Sequence, residues 1–342
     1  MPKETTQNPY PVQRYFFDAF NTKNSVQVHE SVDASEIFAA LQAKAEYYER
    51  LFSHTLPESS LARLNRAGGA PVEVGPELAA LVAAALGYCE ATDGLYDITV
   101  GPLVELWRAG KQKGSVPGAE DLREACTHID WRKVRLDGNT IQLEDPAARI
   151  VLGGIAKGYM ADAFVSMLQE FGVAHGLVEL GGDLKVFGGA RDNLAARAMY
   201  GDAHMQNLSV DAQGYRDFVV GLSAPQPRAL PGNEFAYVQL RDGAVVTSGI
   251  YERGLRSPDN TFYHHILDPR TGMSAETDIA SATLISDTAL DGDGYTTALV
   301  IMGLDRALEF VEALPGCEAV FVTRDKKIYA TSGVGTRIPF TC

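Results

Sequence analysis

The 342-residue sequence predicts a globular protein that mixes α-helices with β-strands, in one large two-lobed domain or in two domains. Short alternating apolar segments bounded by glycine turns indicate strands, and longer segments with apolar residues three and four apart indicate helices. The composition is 46% hydrophobic and 22% charged, which is ordinary for a protein with a sizeable core. No internal repeat that would indicate a solenoid or a propeller is evident.

Charge and cysteine content restrict the partners. The net charge is −14. Nucleic acids and acidic membranes are also negatively charged, so they are unsuitable partners. An anionic ligand must be met locally, by backbone amides, single lysines or a bound cation. The longest apolar run, 78–89, is too short to cross a bilayer, and no apolar signal region follows the polar N-terminus. We therefore expect a cytoplasmic protein with no membrane partner. The four cysteines are scattered, which is typical of reduced thiols and fits that compartment: Cys89, Cys126, Cys317 and Cys342.

The first half of the chain predicts strands followed by helices. A strand over 15–28 is interrupted at 19–22, and residues 134–143 form a hairpin that turns at 137–139. Asp33 and Glu36 form a capping-box pattern before a long helix. The buried face of that helix is predicted to be Ile37, Leu41, Ala45, Tyr48 and Phe52.

The second half predicts a hairpin, a long excursion and a final strand–helix unit. The hairpin joins 237–240 to 244–247, and the excursion covers 188–217. The strand over 281–285 leads through a glycine-containing turn into a helix from Tyr295. A further helix follows the glycine-rich turn at 152–158, and its inward residues are predicted to be Ala163, Met167, Leu168 and Phe171.

Asp293 and Thr297 are candidates for a metal site. They are four residues apart, so they share one face of a helix, and carboxylate and hydroxyl oxygens suit a hard cation such as Mg2+. The alternative is structural, because an aspartate before a helix is commonly an N-cap.

Two further stretches carry chemistry. The glycine-rich turn contains Gly154 and Lys157, and such a turn lets backbone amides approach a phosphate, although close packing is the simpler explanation. It is not a Walker A loop, because Gly158 follows the lysine. The adjacent His264 and His265 are either a base or ligands, or one core histidine beside one solvated histidine.

Seven motifs stand in an order that resembles the ApbE family of FAD:protein FMN transferases. The resemblance runs from about residue 15 to residue 330. The motifs are 20–22, the set Ser59, Leu61, Leu64 and Asn65, then 96–103, 152–158 with Tyr159 and Asp162, 247–249, 265–272 and 293–299.

The resemblance implies a two-lobed α+β, T-fold-like architecture with FAD in the cleft between the lobes. The domain would cover 15–335, with polar tails at 1–14 and 336–342. The implied reaction is Mg2+-dependent transfer of FMN from FAD to a Ser or Thr hydroxyl of a partner flavoprotein, with release of AMP. The implied site residues, carried over by position, are Gly154, Asp293 and Thr297 as Mg2+ ligands, Phe20, Leu95, Tyr96, Asp97 and Lys157 as FAD contacts, and His265 as the catalytic base.

This sequence departs from the family pattern at several positions. Val151 replaces a common aspartate, Thr55 a common tyrosine near the flavin, and Thr296 an aspartate that some members carry. The stretch 20–22 also differs from the commoner Met-Gly-Thr. Two other functions stay open: an FAD pyrophosphatase, in which water replaces the protein hydroxyl, and a flavin-binding protein without catalysis.

Overall fold

The protein is organised around one eight-stranded sheet in which every neighbouring pair of strands is antiparallel. The computed structural model describes residues 12–30, 32–191, 209–225, 233–251 and 253–342. In the order in which they lie side by side, the strands are β1 (Gln13–Ala19), β2 (Thr22–Val28), β6 (Gly176–Leu180), β7 (Asp183–Phe187), β12 (Gly243–Gly249), β15 (Ile279–Ser286), β16 (Glu318–Thr323) and β17 (Ile328–Ala330).

The remaining strands of the described residues form small sheets around this one. They are β3 (Val72–Glu73), β5 (Thr140–Leu143) and β4 (Val134–Asp137) in one sheet, β10 (Phe218–Ser223), β11 (Glu234–Leu240) and β18 (Phe340–Thr341) in a second, and the pairs β8 (Ala190–Arg191) with β9 (Tyr215–Arg216) and β13 (Gly254–Arg256) with β14 (Phe262–His264).

Helices cover one face of the large sheet. In chain order the α-helices of the described residues are α1 (Ser35–Phe52), α2 (Ser60–Asn65), α3 (Pro76–Ala91), α4 (Gly101–Lys113), α5 (Ala119–Thr127), α6 (Ala156–Glu170), α7 (Ala289–Met302) and α8 (Leu304–Glu312), of which α1, α6, α7 and α8 contact the large sheet. Helices α6 and α7 pack directly on the sheet and on each other, and α1 packs on α6. The main apolar core fills the space between these helices and the sheet.

The sheet β10-β11-β18 covers part of the opposite face. Its apolar residues, such as Val220 and Val238, pack on Val186, Val245 and Val320 of the large sheet. The large sheet is therefore buried on both faces over its middle strands, which explains why β15 is buried at every position.

The predicted elements of the first half are largely confirmed. The strand over 15–28 is the β1–β2 pair, and 134–143 is the β4–β5 hairpin. All five residues predicted for the inner face of α1 are buried. The capping box is wrong in detail, because α1 begins at Ser35 and the Asp33 carboxylate accepts a hydrogen bond from the Ser35 N–H (3.0 Å) just before the helix.

The hairpin expected over 237–247 is wrong. β11 pairs with β10 and β18, whereas β12 pairs with β7 and β15 in the large sheet. The chain crosses between the two layers because Val238 and Val245, on either side of the connection, both bury their side chains in the core between them. Asp242 then accepts a hydrogen bond from the Gly188 N–H at 2.8 Å.

The buried face predicted for α6 is also wrong. Phe171 is exposed, and Ala163 and Met167 are only half-buried. Met160 and Phe164 lie in the core instead, together with the correctly predicted Leu168. The close contact of α6 with α7 decides which face of α6 is buried. The spacing of apolar residues along the sequence does not specify this contact.

The helix expected from Tyr295 begins six residues earlier, at Ala289, with Thr288 as the N-cap. Two of the glycines assigned to a turn lie inside α7, where they allow close packing. A Cβ on Gly292 would lie 2.3 Å from a methyl group of Val246, and one on Gly294 would lie 2.7 Å from the ring of Tyr88. Asp293 is therefore inside the helix and is not its N-cap.

The expected excursion and tails fall partly outside the described residues. Residues 192–208 of the excursion and 1–11 of the N-terminal tail are not described, and the ends of the excursion form the β8–β9 pair. The segment 336–342 contains β18, which pairs with β11. Within the described ranges, no helix combines the length and the apolarity needed to span a bilayer.

Candidate active site

A cavity of about 600 Å³ opens where the ends of the large sheet, the β10 strand and the start of α7 meet. It collects segments that are far apart in the sequence. All but one of the predicted site residues line it: Leu95, Tyr96, Asp97, Gly154, Lys157, His265, Asp293 and Thr297.

Close contact between α6 and α7 builds the floor of this cavity. A Cβ on Gly158 would lie 2.3 Å from the backbone oxygen of Ala289, so only glycine permits this approach. One turn later, the Asp162 carboxylate accepts hydrogen bonds from the N–H groups of Ala289 (3.0 Å) and Leu290 (2.9 Å) at the N-terminus of α7. The Gly158 N–H donates to Asp293 at 2.6 Å and completes the junction.

Lys157 bridges two buried carboxylates. Its Nζ lies 2.7 Å from Asp183 Oδ2 and 2.8 Å from Asp293 Oδ1, and each aspartate is only 5% exposed. Burial alone would lower the pKa of Lys157, but the two carboxylates outweigh it and raise the pKa. Burial raises the pKa of Asp183, against the opposing attraction of Lys157. With both carboxylates ionised the three groups carry a net charge of −1.

Two side-chain oxygen donors suitable for a hard cation, those of Asp293 and Thr297, lie on α7 beside this bridge. The Asp293 carboxylate retains unused lone pairs, and Thr297 lies one turn further along α7. A Cβ on Gly154 would lie 3.8 Å from Thr297 Oγ1, so the glycine backbone lies close to that hydroxyl. In the described part of the chain, no group of three or more His, Cys, Asp or Glu side chains has metal-binding geometry.

Thr296 is occupied elsewhere. It is buried, and its hydroxyl accepts a hydrogen bond from the Ser248 hydroxyl at 2.9 Å. The side chain therefore joins α7 to β12, on a different side of the helix from the donors near Gly154.

The loop before α4 forms another wall and is held in place by Asp97. This carboxylate accepts hydrogen bonds from the N–H (2.8 Å) and hydroxyl (2.6 Å) of Thr99 and from the Trp131 N–H (3.1 Å). Burial raises the pKa of Asp97, and these hydrogen bonds oppose the shift. The segment around Ile150 is held in place by Asn65. The side-chain NH2 of Asn65 donates to the Ile150 carbonyl oxygen (2.9 Å), and its Oδ1 accepts a hydrogen bond from the Ile150 N–H (2.7 Å).

Tyr96 presents a polar atom without a partner in the described structure. Its hydroxyl is buried and makes no hydrogen bond there, and its ring lies next to Gly154, where an added Cβ would be 3.4 Å from Cε2. Burial raises the pKa of Tyr96, so the hydroxyl is a neutral donor at physiological pH. An unsatisfied buried donor is unfavourable by itself, and it fits a site that accepts a polar ligand.

The two adjacent histidines differ in environment. His264 is buried and its Nε2 lies 3.1 Å from the Ala275 carbonyl oxygen. His265 lines the cavity, with Nδ1 3.3 Å from the Arg253 carbonyl oxygen. His265 is exposed, so the cavity walls shield its ring from water only in part. This desolvation lowers the pKa of His265 despite that hydrogen bond, and the Arg253 charge adds to the effect. The imidazole is therefore neutral, and able to accept a proton, at pH 7.

Phe20 is the predicted site residue that does not line the cavity. It lies in the turn between β1 and β2, where φ is +53° and its N–H donates to Glu49 Oε1 at 2.7 Å. Of the positions that depart from the family pattern, Val151 lines the cavity, whereas the Thr55 hydroxyl lies 3.1 Å from that of Ser53 and outside the lining.

The sequence interpretation missed two charged residues. Asp183 directly follows Gly181 and Gly182, and an acidic residue in that position is a usable signal. Arg253 also lines the cavity, and no carboxylate pairs with it among the described residues. No sequence pattern marks this arginine, because it reaches the cavity through the β13–β14 segment.

The antiparallel sheet and its helices define an α+β protein. Its cleft combines a glycine-rich loop, oxygen donors suited to a cation and the guanidinium of Arg253, and such a cleft suits a phosphorylated ligand. The chain belongs to the ApbE family, whose model matches residues 20–321. This confirms the resemblance stated from the motifs.

Curated relatives and solved structures agree. The chain is similar to the FAD:protein FMN transferase of Treponema pallidum (33% identical, covering 92% of this chain and 85% of the relative) and to that of Klebsiella pneumoniae (31%, covering 89% and 86%). The ApbE protein of Thermotoga maritima superposes with a TM-score of 0.80 at 29% identity, covering 94% of this chain and 97% of that one. The apo form of the Pseudomonas stutzeri flavinyl transferase ApbE gives 0.78 at 26%, covering 95% and 96%.

Proposed function

We propose that this protein transfers FMN from FAD to a Ser or Thr hydroxyl of a partner flavoprotein, with the help of Mg2+. The observation that carries the proposal is the Lys157 bridge between Asp183 and Asp293, in a cavity that His265 also lines. The name FAD:protein FMN transferase, borne by both curated relatives, supports transfer from FAD to a protein.

The electrostatics of the bridge support a metal requirement. With both aspartates ionised, the bridge repels the pyrophosphate of FAD, and burial makes the second negative charge costly. Asp293, Thr297 and the Gly154 carbonyl would hold a divalent cation, which would change the local charge from −1 to +1. The chemistry that Mg2+ supplies there is neutralisation of the phosphate charge as it develops on AMP.

The reaction needs one proton acceptor and one leaving group. The hydroxyl of the acceptor protein gives its proton to neutral His265 and attacks the phosphorus of the FMN half of FAD. A new O–P bond forms, the bond from that phosphorus to the bridging oxygen breaks, and AMP leaves with the bridging oxygen. His265 then passes the proton to solvent.

The other residues of the cavity bind and orient FAD. Arg253 offers a guanidinium to phosphate oxygens, and the Tyr96 hydroxyl is a free donor. Leu95 and Tyr96 form an apolar wall that suits a planar ring, and the hydrogen bonds of Asp97 hold this wall in position. We do not assign Phe20 a contact within this cavity.

We also place the reaction in the cytoplasm. The cysteines of the chain are all free thiols, and Cys89 and Cys317 are buried without a disulfide partner. Unpaired thiols are the usual state of cysteine in a reducing compartment, which supports soluble cytoplasmic acceptors.

The test is a reaction of the purified protein with FAD, Mg2+ and candidate soluble flavoprotein domains, followed by mass spectrometry of the acceptor and by AMP release. The expected result is AMP release that depends on the acceptor, with one FMN added to a Ser or Thr. Changing that residue to Ala in the acceptor should stop the addition. Rapid AMP release without an acceptor, and no covalent flavin with one, would make the protein an FAD pyrophosphatase.

A further inference from the structure

A groove runs along one edge of strand β10. In the described residues β10 pairs with β11 alone, so its other edge offers unpaired backbone N–H and C=O groups. A second cavity of about 270 Å³ lies along this edge, between β10 and the neighbouring part of the large sheet. An unpaired edge beside a cavity is the geometry that accepts an additional strand.

The floor of the groove is a polar part of the large sheet that β10-β11-β18 does not cover. Ser25 and Gln27 of β2 and Glu179 of β6 point into the groove. They share one face, because Ser25 is the cross-strand partner of Glu179 and side chains alternate along each strand. Phe16 of β1 is opposite Ser25 on the same face and is 71% exposed. A large apolar side chain so exposed at the rim of a groove indicates a contact surface.

The groove carries negative charge. Glu179 accepts hydrogen bonds from the Ser25 hydroxyl (3.1 Å) and the Gly182 N–H (2.9 Å), and it has no Lys or Arg partner among the described residues. Glu234 of β11, on the other wall, likewise has none there. Side chains that face this floor are therefore favoured when they donate hydrogen bonds, as Lys, Arg, Asn and Gln do.

The groove opens directly into the active-site cavity. Leu184, Val220 and Gly221 line both spaces, and β10 continues past them to Leu222 and Ser223 at the cavity wall. An extended chain that follows β10 thus arrives beside the Lys157 bridge. Six residues of strand span about 20 Å, enough to run the length of β10.

We propose that the acceptor protein binds as an added strand along the edge of β10 that has no partner among the described residues, over Ser25, Gln27 and Glu179, and so delivers its hydroxyl to the cavity. The proposal rests on the proposed function. The acceptor segment is extended, with hydrogen-bond donors toward the groove floor and an apolar side chain against Phe16. Pairing through the backbone explains how one enzyme can recognise a segment in an otherwise unrelated flavoprotein.

The test uses the acceptor domain that takes up FMN in the assay above. Gln27→Trp fills the groove. We expect the KM for the acceptor to rise at least about tenfold, which is the loss of affinity expected when one ordinary specific contact is removed. The affinity for FAD should be unchanged. Gln169→Trp, on the exposed surface of α6 beyond the other face of the sheet, is the matched control and should behave as wild type. Phe16→Ser removes only the apolar contact of an exposed side chain and should also raise this KM, so a folding defect in Gln27→Trp does not decide the test.

Amide hydrogen exchange distinguishes the possible occupants. With the acceptor variant that lacks its target hydroxyl, exchange in 219–222 should slow. Exchange that is already slow in the free enzyme and unaffected by the acceptor means that this chain covers its own edge, which overturns the proposal. A wild-type dimer that Gln27→Trp dissociates without changing the acceptor KM also overturns it.

Failure of the docking site is distinct from failure of the function. If wild type, Gln27→Trp and Phe16→Ser transfer FMN with the same acceptor KM, the docking site is wrong and the function stands. If wild type labels no acceptor, both are wrong.

Discussion

Lys157 Nζ lies 2.7 Å from Asp183 Oδ2, and the two side chains form a buried ion pair. The lysine follows the glycine-rich turn and the aspartate follows the β6–β7 turn, so the pair exists only because the fold brings these two segments together. The pair matters because Lys157 is shared with Asp293, the candidate Mg2+ ligand. Asp183 thus draws the lysine charge away from the position where a cation is expected.

Asp183→Asn should therefore weaken the response to Mg2+. Without the second carboxylate, Lys157 is neutralised by Asp293 alone, and we expect the Mg2+ concentration for half-maximal transfer to rise about tenfold. A titration of initial transfer rate against Mg2+ measures this. Asp121→Asn, on the exposed side of α5, is the charge-matched control. An unchanged Mg2+ requirement in Asp183→Asn would show that the bridge does not influence the metal site.

His265→Ala should lower the transfer rate by about 10²–10⁴-fold with little change in FAD affinity, because a general base acts on the reaction step. The rate of wild type should stay constant as the pH falls to the ordinary histidine value of about 6.5, and decline only below it, because the pKa of His265 is lowered. Single-turnover rates from about pH 4.5 to about pH 8, in steps of about half a pH unit, test this.

The neighbouring histidine is the control for that variant. His264→Ala removes a buried ring that bonds the Ala275 carbonyl, and should lower the free energy of unfolding by about 1–3 kcal/mol while the folded fraction still transfers FMN. Equal loss of transfer in both variants would reassign His265 to a structural role.

Gly158→Ala should destabilise the protein by about 3 kcal/mol, because the new Cβ would meet the backbone of Ala289 and force α6 away from α7. Chemical denaturation measures the loss. Gly153→Ala, in the turn just before α6, is the control: its Cβ would meet only a methyl group of Val151, at 3.9 Å, and stability should change by less than about 0.5 kcal/mol. Similar effects at the two glycines would contradict the close-approach explanation.

Acid should destabilise the protein through His29. This ring is buried, and burial, followed by the charges of Arg14, Arg216 and His175, lowers its pKa to about 4. The folded pKa lies below the unfolded value of about 6.5, so the stabilisation is complete above about pH 6.5 and is lost as the pH falls toward about 4. The free energy of unfolding should drop by about 2 kcal/mol between about pH 7.5 and about pH 5 from this residue.

Urea denaturation at several pH values tests this dependence. His29→Gln should flatten the fall in stability, whereas His128→Gln, at the partly exposed pair with Asp145, should leave it in place. A slope in His29→Gln equal to that of wild type would assign the acid sensitivity to other groups.

Much of the fold could be predicted from the sequence because local patterns decide it. The spacing of apolar residues in α1 and the turn at 137–139 depend on residues that are close together in the sequence, and the structure matches both predictions. The α6 face and the supposed 237–247 hairpin failed because contacts with α7 and between the two sheet layers decide them.

The site was predictable only as separate motifs. Gly154, Lys157 and Asp293 were each marked by their own neighbourhood, but their meeting depends on the approach of α6 to α7 at Gly158. Asp183 begins β7 and Arg253 directly precedes β13, so both are far in sequence from those motifs, and their part in the cavity emerges only from the fold.

The most direct test of the central claim compares Asp293→Asn with Asp291→Asn. Both residues lie in α7, but Asp291 accepts a hydrogen bond from the Tyr88 hydroxyl (2.7 Å) and does not line the cavity. In Asp293→Asn, the amide oxygen of the new side chain can still accept from the Gly158 N–H, so the fold should survive. That oxygen binds Mg2+ more weakly than a carboxylate does.

The measurement is the initial rate of FMN transfer as a function of Mg2+ for both variants. We predict that Asp293→Asn lowers the rate by at least about 100- to 1,000-fold, whereas Asp291→Asn retains Mg2+-dependent transfer. Full Mg2+-dependent transfer by Asp293→Asn would contradict the account and place the metal elsewhere.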